Sequence, residues 1–433
     1  MSKDASSRRR WRLRVYPLAV VAAIGVAIVL GSVTASRSSA PAGVVGGDYP
    51  AFYGAGRIAA AGDWDHLYDP GRQVAAQAGL YPEDEGEVAR LFPYPPQVAL
   101  LYRPLAALDY SWSYLIHTVL MGLLLWITVL LVRPMLPWLR GREALGVAAA
   151  LCFWPMFRAV TGGSNTALTL FLIVAAWRLV HDDRPVLAGL VLAGLAYKPQ
   201  FALPMIGLYL VARHLRVVGG AAVGAVGFYL AGVPLQGWGW GRDWYDMVTS
   251  FGNFDAVLNG HSAISFVGFA ENIVGVSGSP LVTLAWVLAA AVAVVLAWLW
   301  WRSRGEDLVP LLAITMPGLL LLSPHAMSHD GAIVVLTAAI MVSRTDRRSW
   351  LPWIVVVWLL GASQLFIKQL GFSPGLPMLL LIVWWVSTTF GPDLGPGSAA
   401  ASSSRLDEEL DVGPGGEVEK RGGACDVAAV DEV

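Results

Sequence analysis

The stretch GGDYPAFYGAGR, residues 46–57, sets one acid among glycines, aromatics and a proline, just after the first long apolar run. Asp48 suits two roles. With Pro50 in a first helical turn it serves as an N-cap. Without a capping bond, the same carboxylate takes a proton from a hydroxyl brought to the membrane surface. The roles compete, because a committed cap is a poorer base. Lys198, in AYKPQ between two apolar runs, is either a cation facing a polar cavity or partner, or one whose stem carries its charge to the interface. GGSN at 162–165 opens another apolar run, where Asn165 and free amides either cap a helix or receive an anion. FPYPPQVALL at 92–101 cannot enter a regular helix at its three prolines, so it bends the chain around Tyr94, with Arg103 just beyond. NGHSAIS at 259–265 and SPHAMSHD at 323–330 contribute His261, His325, His329 and Asp330. His325 and His329 lack the intervening Glu of a metalloprotease helix, and no metal site is expected from them.

These residues need a scaffold, and the composition says which kind. Of 433 residues 56% are hydrophobic and 14% charged, with 19 Trp, which describes a polytopic membrane protein rather than a soluble domain. A net charge of −1 with scattered Lys and Arg excludes a broad phosphate-binding surface, so no nucleic-acid partner is expected. Cys152 and Cys425 lie too far apart in setting to suggest a disulfide framework or thiolate metal site. The basic RRRWRLR followed by an apolar stretch reads as a cytoplasmic arm and first span rather than a leader, because many further apolar runs follow. Apolar runs predict spans near 15–34, 110–132, 143–160, 165–181, 185–197, 199–213, 217–235, 279–301, 307–323, 330–343, 350–367 and 373–390. That is a bundle of about twelve transmembrane helices.

Lys and Arg are retained on the cytoplasmic side, and the arm, with the loops at 133–142, 178–184, 213–216, 302–304 and 344–348, collects them. Both termini are then cytoplasmic. The opposite face receives residues 35–109, TGGSN, YKPQ, the Trp-rich stretch 236–278 and SPHAMSHD. A short helix over 50–62, with Phe52, Ala55 and Ala59 at helical spacing, is expected to lie in the interface; Trp238, Trp240 and Trp244 suit the headgroup layer. Three regions result: a basic arm at 1–14, a membrane domain at 15–390 and a disordered acidic cytoplasmic tail at 391–433. A lipid or solute transporter is the competing class. It would place ionisable groups at mid-membrane on broken, repeat-related helices, and neither one-sided motifs nor an absent repeat fits that.

GGDYPAFYGAGR, HLYDP at 66–70, FPYPP, GGSN, AGLVLAGLAYKPQ at 188–200, NGHSAIS and SPHAMSHD together, in this order, resemble glycosyltransferase family 87. The likeness runs over roughly residues 45–390. These are polytopic GT-C enzymes using polyprenyl-phosphate sugars, among them actinobacterial mannosyltransferases of phosphatidylinositol mannoside synthesis and a related arabinofuranosyltransferase. The resemblance implies an all-α GT-C bundle with short extracytoplasmic helices, Asp48 as catalytic carboxylate, and His325 or His329 in the same cavity. The sequence departs from the family where GQxN is usual, having Gly163-Ser164-Asn165, and where NQS gives way to His261-Ser262.

The expected enzyme is a plasma-membrane hexosyltransferase. It moves mannose from a polyprenyl monophosphate to a lipid-linked or cell-envelope glycan outside the cytoplasm, with inversion. Arabinofuranose is the alternative sugar. Lys198, Arg103 and Arg242 are candidates for the donor phosphate, while Tyr53, Tyr94, Asn165, His261, His325 and His329 are candidates for the substrate pocket. No cofactor or divalent metal is expected. The partners are the donor, the glycan acceptor and the bilayer.

Overall fold

A computed structural model of the chain describes residues 47–80, 90–275, 279–304 and 307–390. The expected basic arm (1–14), first span (15–34) and acidic tail (391–433) lie outside the described residues. Among those described, the architecture is helical, with a single isolated antiparallel bridge between Ala263 and Met327.

The chain enters through α1 (Tyr49–Ala60), with Pro50 in its first turn. This helix is buried almost all round by the rest of the chain. Its small residues are the reason: a Cβ on Gly56 would come within 2.7 Å of the Tyr102 carbonyl oxygen, so α3 (Pro96–Tyr102) packs directly on its backbone. Between them α2 (Pro70–Ala76) is capped by the Asp69 carboxylate, which accepts from the Arg72 amide at 2.6 Å. Tyr49, Phe52, Phe92, Tyr102 and Tyr114 make these pieces one aromatic cluster.

The bundle proper begins with α4 (Tyr110–Leu131). The expected single span at 143–160 is instead two helices, α5 (Glu143–Leu151) and α6 (Trp154–Thr161), meeting at 92°. Pro155 in the first turn of α6 and extended backbone at Phe153 account for the break. Then come α7 (Thr166–His181), α8 (Pro185–Ala193), α9 (Pro199–Val211) and α10 (Leu215–Gln236). α8 and α10 touch backbone to backbone. Cβ atoms on Gly189 or Gly220 would stand 2.0 Å and 2.2 Å from opposing carbonyl oxygens, the small-residue packing suited to apolar surroundings.

The second half holds α11 (Trp240–Asn259), α12 (Phe266–Val274), α13 (Pro280–Ser303), α14 (Leu308–Leu322) and α15 (Val334–Arg344). It closes with α16 (Arg347–Ser363), α17 (Ile367–Leu370) and α18 (Gly375–Phe390). α14 is buried on nearly every side and forms the centre of the main core, against α13, α15 and α18. Among the described residues four helices are long and apolar enough to cross a membrane: α4, α10, α13 and the segment Arg348–Phe366. The bent α5–α6 pair is a fifth candidate. The other expected crossings are shorter apolar helices, so the count of twelve does not carry over from the pattern of apolar runs. The tryptophans also divide. Trp238 is exposed, but Trp240 is buried and donates to the Tyr229 carbonyl at 2.9 Å, and Trp244 donates to the Pro93 carbonyl at 3.1 Å. Those two pin loops rather than anchor headgroups.

Candidate active site

Four loops and helix starts converge at one end of the bundle. Gly47 adopts φ +55, and its amide-side neighbour contact is tight: a Cβ there would lie 2.6 Å from the Gly162 carbonyl oxygen. Only glycine fits both demands. The Asp48 amide donates to that same carbonyl at 3.0 Å, so the Asp48 loop is stitched to the GGSN loop. The Asp48 side chain occupies the N-cap position of α1 yet makes no capping bond, and it is 45% exposed. Of the two roles that the sequence leaves open for it, capping is not the one it performs here.

Asp330 is the opposite case. In the turn before α15 it is buried, and its carboxylate accepts three hydrogen bonds. Lys198 Nζ donates to Oδ1 at 2.7 Å, Thr166 Oγ1 donates to the same oxygen at 2.9 Å, and the Met327 amide donates to Oδ2 at 3.2 Å. Lys198 therefore does not run out to the interface: its side chain is 6% exposed and its charge is offset by Asp330. This pairing also serves the start of α7, where the sequence suggested an external anion. His329 bridges the two acids, with Nε2 3.8 Å from Asp48 Oδ2 and 3.8 Å from Asp330 Oδ2.

Aromatic hydroxyls line the approach. The FPYPP loop is held by Gln73 accepting from the Phe92 amide at 2.8 Å, and by the Tyr68 hydroxyl donating to the Tyr94 carbonyl at 2.9 Å. Burial, then the nearby Asp48 and Asp330 charges, push the Tyr94 phenol well above its ordinary pKa. It stays a neutral donor beside both carboxylates. Tyr197, whose ring lies 6.2 Å from that of Tyr94, donates to the Asn165 carbonyl at 2.9 Å. The Asn165 side chain accepts from the Tyr102 hydroxyl at 2.9 Å. Asn165 is thus buried structure at the start of α7 rather than an outward-pointing cap.

The remaining candidates scatter. Tyr53 donates its hydroxyl to the Leu108 carbonyl at 2.9 Å and is spent in the aromatic cluster. Arg103 and Arg242 are exposed. The NGHSAIS and SPHAMSHD motifs are joined, since the Ile264 amide donates to the Ala326 carbonyl at 2.9 Å beside the Ala263–Met327 bridge. That brings His261 and His325 to the same end, with His325 edge-on to Phe251 at 6.0 Å. It is His329, however, that reaches Asp48. Glu271 on α12 is held above the usual carboxylate range by burial, opposed by His325.

The sequence pattern does not mark Arg158. In the last turn of α6 it is half-buried, and its Nη2 lies 3.1 Å from where a Gly47 Cβ would stand, one residue from Asp48. Its guanidinium has no carboxylate partner among the described residues. An arginine inside an apolar run expected to cross straight gives no signal; only the 92° bend turns it toward the site.

A carboxylate free to accept a proton, a histidine beside it and an unpaired guanidinium is a constellation for transfer onto a hydroxyl with an anionic leaving group. A model of glycosyltransferase family 87 matches residues 92–324, more than half of the chain. The chain belongs to glycosyltransferase family 87. No curated protein matches it. Membership makes it a membrane glycosyltransferase, in keeping with its apolar helices. The family match holds Tyr94, Arg158, Asn165 and Lys198, whereas Asp48, His329 and Asp330 fall outside it and join them through the fold.

Proposed function

We propose that this family 87 enzyme transfers a single mannose from a polyprenyl monophosphate to a hydroxyl of a lipid-linked or cell-envelope glycan, on the extracytoplasmic face and with inversion. The observation that carries the reading is Asp48: a half-exposed carboxylate at a helix start with no capping bond, 3.8 Å from His329. The acceptor oxygen attacks the anomeric carbon while the bond from that carbon to the phosphate oxygen breaks. The acceptor proton passes to Asp48, and the phosphate leaves with the bonding pair. A carboxylate is a modest base, so Asp48 acts late, as the attacking oxygen becomes positive.

The leaving phosphate gathers negative charge and needs a cation. Lys198 enters the site as half of a neutral pair with Asp330. Arg158 is the better candidate, because its guanidinium is unpaired, borders the Asp48 loop and can grip a phosphate through two N–H groups. Arg103 and Arg242, both exposed, are left to outer contacts with donor or acceptor.

The test is incubation of the purified protein in lipid with radiolabelled polyprenyl-phosphate mannose and, separately, arabinose, together with a membrane lipid extract. Label from mannose should move into a glycolipid. Label from arabinose alone would replace the sugar and keep the reaction class. Transfer from neither by folded protein overturns the reading.

A further inference from the structure

Far from Asp48 lies a recess that the transfer reaction does not use. Lys198 occupies the N-cap position of the 13-residue α9, and Arg213 lies just past its other end, which sets the two about 20 Å apart along the helix. There Val211, Arg213, Trp298, Trp301, Arg302 and Arg304 line a half-open cavity of about 370 Å³. We propose that this recess binds the phosphate headgroup of an anionic membrane phospholipid.

Charge is the first argument. Three guanidinium groups share one small cavity, and among the described residues none has a carboxylate partner; the nearby Asp307 pairs instead with Arg344 at 4.0 Å. Arg302 lies over the Trp298 ring, 5.2 Å from its centroid, which holds the guanidinium plane while leaving its N–H edge free. Concentrated, unpaired guanidinium groups select phosphate through paired N–H donors.

The backbone is the second. Arg213 has φ +64 and Arg304 has φ +51, the left-handed conformation in which helices normally end on glycine. Three non-glycine residues adopt it among the described residues, and two of them are these arginines in one recess. A basic loop that merely fixes topology needs charge anywhere near the interface. It needs neither strained turns nor a walled cavity.

The surroundings choose a lipid over free phosphate. Trp298 and Trp301 are both about half-exposed, as indoles at a headgroup layer are. Below them the long apolar α13 presents Val294 and Val295, 67% and 53% exposed, as a track for acyl chains. A headgroup in the recess would leave its tails along that helix. Basic pockets at the cytoplasmic ends of spans suit anionic lipids in this way.

The protein in neutral detergent is titrated with short-chain phosphatidylglycerol, short-chain phosphatidylcholine or inorganic phosphate, and its apparent melting temperature is followed. Phosphatidylglycerol should stabilise the wild type with saturation, and the other two should not at the same concentration. Arg213→Gln/Arg302→Gln/Arg304→Gln should weaken phosphatidylglycerol binding by roughly tenfold or more. Should the triple variant fail to insert, Arg304→Gly decides alone: glycine relaxes the left-handed turn, so the variant folds at least as well, and affinity should still fall about fivefold. Undiminished binding by Arg304→Gly overturns the proposal. So does equal stabilisation by phosphatidylcholine, which marks an apolar groove, or by inorganic phosphate, which marks a free-anion site.

Discussion

Asp48 and Asp330 share one corner of the fold, linked through His329, and they are employed in opposite ways. Asp330 is buried and accepts from an ammonium, a hydroxyl and a backbone amide. Asp48 is half-exposed and accepts no capping bond. A carboxylate with all its lone pairs engaged holds elements together; one with its lone pairs free can take a proton. The pair Lys198–Asp330 ties α9 and α7 to the turn before α15, three elements distant in sequence. The Asp48 side chain makes no capping bond and faces His329 at 3.8 Å. Its position is fixed instead by the backbone bond to Gly162 and the glycine that allows it. The two acids, each 3.8 Å from His329 Nε2, are thus held by different means, one by its side chain and one by its backbone.

The largest effect should follow from breaking the structural acid's pair. Lys198→Ala leaves the buried Asp330 carboxylate uncompensated and should cost about 3–5 kcal/mol of stability. The readout is the apparent melting temperature and yield in detergent. Replacing both partners, Lys198→Met with Asp330→Leu, removes the charges together and should recover much of that loss. If Lys198→Ala is as stable as wild type and fails only in donor use, the comparison collapses. Lys198 would then serve the phosphate directly.

Asp48, the proposed base, should respond the other way. Asp48→Asn keeps size and the backbone bond to Gly162 while removing the basic carboxylate. Turnover in single-turnover sugar transfer should drop by roughly a hundredfold or more, about 2.7 kcal/mol on the barrier. Melting temperature should hardly change, because the carboxylate makes no capping bond to lose. Near-normal transfer by the Asn variant would reduce Asp48 to a loop residue.

How much of this the sequence discloses depends on the kind of signal. Apolar runs located most helices, because burial in lipid or core writes itself into composition: 217–235 and 279–301 correspond to α10 and α13 within a few residues. They did not disclose the break at Phe153, where one proline turns an apparent span into two helices at 92°. Nor did they show that α1 is buried, since alanine and glycine look the same in an interface and in a close helix contact. Asp48 was legible because an acid after an apolar run stands out. Its freedom from capping was not, because the N-cap bond depends on backbone and side-chain torsions, and Asp48 has a helical backbone where a capping residue is usually extended. The partner of Lys198 lies 132 residues away. Long-range pairing leaves no local pattern, and so the sequence does not show the Asp330 carboxylate beside Lys198.

The smallest effect sharpens the comparison from the side of the donor. If Lys198 is structural, another cation must meet the phosphate, and three arginines compete. Arg158 is half-buried against the Asp48 loop, while Arg103 and Arg242 are exposed. An exposed arginine interacts through screened solvent and contributes little, whereas a partly desolvated guanidinium without a carboxylate acts at higher effective strength. Arg158→Gln should therefore raise the donor KM or lower turnover by about tenfold, with Arg158→Lys restoring part because a point charge replaces a fork. Arg103→Gln and Arg242→Gln should change either constant less than about twofold. Donor-dependent kinetics on the three variants, each checked for its melting temperature, distinguishes them. A larger loss in Arg103→Gln or Arg242→Gln than in Arg158→Gln would move the phosphate from the Asp48 loop to the outer surface, and with it the point where the leaving group must depart.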